Sequence, residues 1–154
     1  MMARILVMQG ANMNWLGIRE PEIYGRTTAA ELDQQIREYA RKKGFEVEIF
    51  YTNVEGEAIN KIYEAYHQGF EAIVMNPGGF TFSGYALRDA IRGVRDRIVY
   101  VEVHIANHYA RYRHGEHQNA TAASAVGVIM GFGLHGYFLG LDAALHLVEN
   151  KSKA

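Results

Sequence analysis

Cysteine is absent from the 154 residues. That excludes disulfides and thiolate metal centres and suits a reducing compartment. Proline occurs only 2 times, and no stretch reads as a flexible linker. Charge of neither sign is concentrated: 16 Lys and Arg stand against 17 Asp and Glu, for a formal net charge of −1. There is no basic field for nucleic acid and no charged tail. No apolar run approaches the roughly 18 residues needed to cross a bilayer, and Arg4 breaks the first apolar run, unlike a secretory leader. These absences lead us to expect a cytoplasmic chain that binds neither membrane nor nucleic acid. The length predicts one domain over residues 1–154, burying roughly 70% of the surface of its unfolded chain.

What is present is an alternation of strands and helices. Ile5–Met8 and Ala72–Met75 are short continuous apolar runs, the pattern of strands buried on both faces. Phe45, Val47, Ile49 and Tyr51 alternate with polar residues, as in a half-exposed strand. Ile98 to about Ile105 and Val126–Met130 supply two more strands. Helices are predicted between them. One opens at Thr28-Ala-Ala-Glu31, with capping-box spacing, and closes at Gly44. Ile59, Ile62, Tyr63 and Tyr66 mark the next, ended by Gly69. Two more run from about Ser83 to Arg92 and from Leu134 to Val148, and Asn76-Pro-Gly-Gly79 is expected to end the third strand. The order implies an α/β doubly wound sheet of five parallel strands with helices on both faces. In such sheets ligands bind beyond the carboxyl ends of the strands.

The unusual residues lie at those ends. Gln9 to Arg26 is too long for a connector and carries Asn12, Asn14, Arg19 and Tyr24. An arginine beside a tyrosine can stabilise phenolate, lowering a pKa normally near ~10 and making a base strong enough for a carbon acid. The same residues also suit a solvated loop with asparagines in turns. Glu102 and His104 lie two apart on the fourth strand and share a face, so the carboxylate can fix the histidine as a general acid or base; a strand-end cap with a structural partner is the bland alternative. His104, His108, His114 and His117 cluster along the chain, and His114-Gly-Glu-His117 resembles half a metal site but lacks helical i, i+4 spacing, so no metal is expected. Gly131-Phe-Gly133-Leu-His-Gly136 matches a dinucleotide fingerprint, but too little chain follows it for a second strand. Those glycines are expected to bring the last helix close to the sheet.

Taken in order, these motifs resemble the type II dehydroquinases. They are Gly10-Ala-Asn12-Met-Asn14-Trp-Leu-Gly17, Arg19-Glu-Pro-Glu-Ile-Tyr24-Gly25, Asn53 with Glu55-Gly-Glu57, Asn76-Pro-Gly-Gly79, Ala86-Leu-Arg88-Asp89-Ala90, Glu102-Val-His104-Ile, Asn107 with Ala110-Arg111, and Gly127 to Gly133 with Gly136-Tyr137. The resemblance spans about residues 4 to 148. It implies a flavodoxin-like fold and a cofactor-free, metal-free lyase that removes water from 3-dehydroquinate through an enolate, in the shikimate or quinate pathway. It implies Tyr24 as the base, Arg19 keeping it ionised, Asn12 holding an enolate-stabilising water, and His104, oriented by Glu102, protonating the leaving hydroxyl. Asn76 and the backbone N–H groups of Ile105 and Ala106 would hold the substrate carboxylate. Arg113, or else Arg111, would meet a substrate hydroxyl, and Asp89 would reach a neighbouring subunit's site in a trimer-based dodecamer. A Schiff-base mechanism lacks an obvious nucleophile, since the lysines (Lys42, Lys43, Lys61, Lys151 and Lys153) all lie outside these loops.

The chain departs from the family pattern in its recognition shell. Phe82 stands where the family usually has a substrate-binding histidine, and Ala106 where it usually has serine. Base, acid and enolate stabiliser survive. The pattern fits a dehydroquinase with altered binding, a paralogue enolising another hydroxy-ketone, or a binding protein that kept the fold and lost turnover.

Overall fold

The computed structural model describes residues 2–111 and 118–153. Five strands, β1 (Arg4–Ala11), β2 (Glu46–Tyr51), β3 (Ala72–Gly78), β4 (Val99–His104) and β5 (Gly127–Met130), form one parallel sheet in the order β2-β1-β3-β4-β5. This is the flavodoxin-like order, whose switch point falls beside β1 and β3.

Strand periodicity divides the core in two. Ile5 and Val7 of β1, Val74 of β3 and Val101 and Val103 of β4 face one side, where they meet helices α2 (Ala29–Lys43) and α6 (His135–Lys153). Leu6, Met8, Ile73 and Met75 face the other, against α3 (Glu55–His67) and α5 (Tyr85–Gly93). Adjacent residues of one strand thus serve different layers, which is why the buried strands read as unbroken apolar runs. Thr28 caps α2 by accepting from the backbone N–H of Glu31 at 3.2 Å. The reciprocal half of the capping box is replaced: the Glu31 carboxylate accepts from the Thr28 hydroxyl at 3.1 Å. Gly44 ends α2 at φ 80°.

Three expectations are corrected. Asn76-Pro77-Gly78 does not break β3, because Asn76 and Gly78 pair with Gln9 and Ala11. β1 and β3 run on together because Gly10 lets the strands touch: a Cβ there would lie 2.1 Å from the Pro77 carbonyl oxygen. The helix expected from about Ser83 to Arg92 is α5 and starts two residues later, because Gly84 separates it from a short additional helix, α4 (Phe80–Ser83). The residue that brings α6 onto the sheet is Gly140, where a Cβ would stand 2.6 Å from Val103 Cγ1. Gly131 and Gly133 instead take positive φ in the turn after β5, where their N–H groups bond the carbonyls of His104 and Ile105 at 3.3 and 3.0 Å. Among the described residues no helix is long and apolar enough to cross a membrane.

Candidate active site

The chain after β1 is anchored, which argues against a solvated loop. A 3-10 turn (Met13–Trp15) and the short helix α1 (Pro21–Tyr24) order it, and Met13 and Leu16 bury their side chains in the α2–α6 layer. Asn53 clamps it from β2's end: its Oδ1 accepts from the Asn12 N–H at 2.7 Å and its Nδ2 donates to Asn14 Oδ1 at 3.2 Å. Asn12 sits at φ 73°, the left-handed region in which asparagine is among the more tolerant side chains.

α1 presents Tyr24 half-buried between two guanidinium groups. Those of Arg19 and Arg111 lie 5.2 and 5.5 Å from the centre of its ring. Arg111 Nη1 donates to the Tyr24 hydroxyl at 2.8 Å, whereas Arg19 Nε pairs with Glu20 at 3.3 Å. The group in direct contact with the phenol oxygen is therefore Arg111, from the loop after β4.

The opposite side of the cleft is built on β4. Tyr100, Glu102 and His104 recur every second residue and share one face. Glu102 is fully buried and accepts from Tyr100 Oη at 2.8 Å, Asn119 Nδ2 at 2.7 Å, the Thr121 hydroxyl and His104 Nε2 at 2.8 Å. Burial alone would raise its pKa. The hydrogen bond and charge of His104, with the bonds from Thr121 and Asn119, outweigh it and hold the carboxyl below its ordinary value. An ionised carboxylate only accepts, so His104 Nε2 carries the shared proton. Nδ1, which makes no hydrogen bond among the described residues, is left to exchange a proton with a ligand. Burial and the adjoining carboxylate push the Tyr100 hydroxyl well up, so it stays a donor.

Asn76 closes the floor. It is buried at the end of β3, its Nδ2 donates to Tyr137 Oη at 3.0 Å and its Oδ1 accepts from the Gly78 N–H at 3.0 Å. Tyr137 in turn donates to Gln9 Oε1 at 2.7 Å, so the amide is held from both ends and cannot rotate without losing a bond.

Between these groups lies a cleft of about 180 Å³ lined by Arg19, Tyr24, Asn76, Phe82, His104, Ile105, Ala106, His108 and Arg111, with Met13, Gly78, Gly79 and Thr81. Most of the residues picked out in the sequence meet here. Asn12 lines an adjoining recess shared with Arg19 and Tyr24, and Glu102 stands behind His104. Asp89 is not in the cleft; its carboxylate pairs with Arg88 at 3.2 Å on the exposed face of α5. Arg113, and the His114–His117 pair considered for a metal, lie outside the described residues. Among the described residues no group of three or more His, Asp or Glu is placed to hold a metal ion.

Sequence reasoning missed Tyr100, Asn119, Thr121 and the contact of Arg111 with Tyr24, and it noticed His108 only as one of four clustered histidines and not as part of the cleft lining. Tyr100 was accessible through the alternation that linked Glu102 to His104. Asn119 and Thr121 reach Glu102 from 17 and 19 residues away, a distance no local periodicity records.

A flavodoxin-like sheet whose switch point holds a phenol–guanidinium pair opposite an imidazole–carboxylate pair is built for acid–base chemistry on a small molecule. The chain belongs to the family described as Dehydroquinase class II, whose profile matches residues 3–145. It is 43% identical to a 3-dehydroquinate dehydratase of Thioalkalivibrio sulfidiphilus over 150 residues, covering 96% of this chain and 99% of that one. With its counterpart in Anoxybacillus flavithermus it shares 42% over 152 residues, 99% of this chain and 100% of the other. The crystal structure of type II dehydroquinase from Butyrivibrio crossotus superposes with a TM-score of 0.88 at 42% identity, covering 93% of this chain and 97% of that one.

Proposed function

We propose that this chain is a hydro-lyase, a type II 3-dehydroquinate dehydratase that converts 3-dehydroquinate to 3-dehydroshikimate. The observation that carries the reading is the meeting of Tyr24 and His104 in one cleft, each backed by a group that manages its charge. Tyr24, as phenolate, takes a proton alpha to the ketone, and the C–H electron pair passes into an enolate. Asn12 orders a water against the enolate oxygen. The enolate then reforms the ketone as the C–O bond to the hydroxyl breaks and a carbon–carbon double bond forms. His104 Nδ1 gives the departing oxygen its proton, so the leaving group is water. Afterwards Tyr24 returns its proton to solvent and His104 regains one, which closes the cycle with no net redox change. Asn76, the Ile105 and Ala106 N–H groups and the Arg19 and Arg111 guanidiniums supply polar contacts for a carboxylated, hydroxylated ring. Lysine is absent from the described lining, in keeping with an enolate rather than an imine route.

The recognition shell is where this chain differs. Phe82 and Ala106 both line the cleft, and neither side chain carries an atom able to hydrogen-bond a substrate. A second reading, in which the same proton chemistry serves another hydroxy-ketone, draws on that observation. Turnover of 3-dehydroquinate by purified protein, followed through the enone absorbance of the product, decides between them. Absence of product sinks the first reading.

The chain works, on this reading, in the cytoplasm as one domain, in the shikimate or quinate pathway, and assembles as trimers that build a dodecamer. Support for assembly comes from Tyr85, Val126, Val128 and Phe132, which the single chain leaves exposed, and from Asp89, which lies outside its own cleft. Light scattering should give a mass well above the 17.4 kDa of one chain; a monomer at micromolar concentration refutes the assembly.

A further inference from the structure

The cleft holds a second imidazole that the mechanism above does not use. His108 lies in the 3-10 turn after β4 (His108–Ala110), a turn capped by the Asn107 side chain, which accepts from the Tyr109 N–H at 3.1 Å. Unlike its neighbours Tyr109 and Ala110, His108 points inward: it is only 9% exposed and lines the cleft. Its ring packs edge-on against His104, with centroids 5.0 Å apart at 86°, and against Phe82, 5.9 Å apart at 73°. The Tyr109 ring is also near, with centroids 4.8 Å apart at 40°. It makes no side-chain hydrogen bond among the described residues, so its place is fixed by ring packing while its nitrogens are left unused.

Its charge state suits a neutral ligand group. Burial, the neighbouring charge of His104 and, less strongly, Arg111 lower its pKa, with Glu102 alone opposing. At neutral pH the ring is uncharged, with one nitrogen donating and the other accepting. A hydroxyl both donates and accepts, and is therefore the ligand group it matches. Phe82, which faces it across the same wall, has no polar atom to compete.

We propose that His108 is a specificity-determining residue whose ring nitrogen hydrogen-bonds a hydroxyl of the bound substrate on the wall it shares with Phe82. The inference rests on the dehydroquinase reading of this cleft. It assigns to His108 recognition of a ring hydroxyl that stays on the substrate, distinct from the proton transfers of Tyr24 and His104.

The test is steady-state kinetics of wild type, His108→Val and His108→Gln, on 3-dehydroquinate and on an analogue lacking a ring hydroxyl that does not leave. Losing one such bond corresponds to about tenfold. His108→Val should raise KM for 3-dehydroquinate by about tenfold with kcat within about threefold, and His108→Gln should recover part of the loss by restoring a donor and an acceptor. Wild type should lose about tenfold on the deoxy analogue, while His108→Val should not distinguish the two compounds. A merely structural role would weaken both compounds alike. A KM within twofold of wild type in His108→Val, or equal discrimination against the analogue by both proteins, overturns the proposal and leaves the dehydroquinase reading standing. Inactive wild type removes that reading, and the proposal with it.

Discussion

The Glu102 clamp makes a quantitative demand on Thr121. This residue is fully buried and its hydroxyl donates to Glu102 Oε1, which also receives the Tyr100 hydroxyl. Thr121→Val keeps the shape and removes that one donor. A hydrogen bond to a charged partner is worth roughly 1.5–3 kcal/mol, and a neutral one about 1. Because the site is already closed, the added methyl gains little burial to offset the loss. For a chain of this size about 1 kcal/mol moves the melting temperature by roughly 2–4 °C, so Thr121→Val should melt about 3–12 °C lower at pH 7. The pH dependence follows from the depressed pKa of Glu102. A depressed carboxylate contributes stability above its unfolded pKa, near ~4.3, and loses that contribution as pH falls through the folded value. Thr121 stabilises mainly the ionised form, so the gap between wild type and variant should be full at pH 7. It should shrink toward about 1 kcal/mol as the solution is acidified below the ordinary carboxylate range. Urea unfolding of both proteins across that range measures it. Equal stability at pH 7, or a gap that widens in acid, would refute the claim that Thr121 serves the carboxylate.

Three further outcomes can be checked. Tyr24→Phe should reduce turnover below detection with the far-UV spectrum unchanged, since the half-buried ring keeps its packing; retained activity would remove the proposed base. Arg111→Ala should lower kcat by at least about tenfold, one lost bond to a charged oxygen, with a smaller effect on KM. An effect on KM alone would make Arg111 a substrate ligand and not a partner of Tyr24. Gly140→Ala should destabilise by about 1–3 kcal/mol through overpacking against Val103, although alanine is the better helix former by about 1 kcal/mol; a variant at least as stable as wild type would show that the valine can yield.

The sheet and its layers were legible because burial imposes a period: continuous apolar runs for β1 and β3, alternation for β2, capping signals for α2. Tyr24, Arg19 and His104 were legible because they stand where an open parallel sheet places its ligands. What could not be read depended on approach between distant backbones. Nothing in Asn76-Pro-Gly-Gly79 shows that β3 continues through it, because the cause is the missing side chain at Gly10. The last helix reaches the sheet through Gly140, whereas the glycines that drew attention, Gly131 and Gly133, serve a turn. Nor does local spacing reveal that Asn119 and Thr121 complete the shell of Glu102, or that His108 turns inward while Tyr109 turns out.

The close approach of the β1 and β3 tips has an evolutionary consequence. A side chain at Gly10 would meet the Pro77 carbonyl oxygen, and one at Gly78 would lie 2.2 Å from that of Ala11. Both obstacles are backbone, which cannot swing aside, so the floor of the pocket tolerates almost no drift. Positions 82, 106 and 108 line the cleft itself. A lineage changing its preferred substrate is expected to keep the glycine pair and exchange residues of that lining. Libraries meant to change the substrate preference of this cleft therefore belong at Phe82, Ala106 and His108.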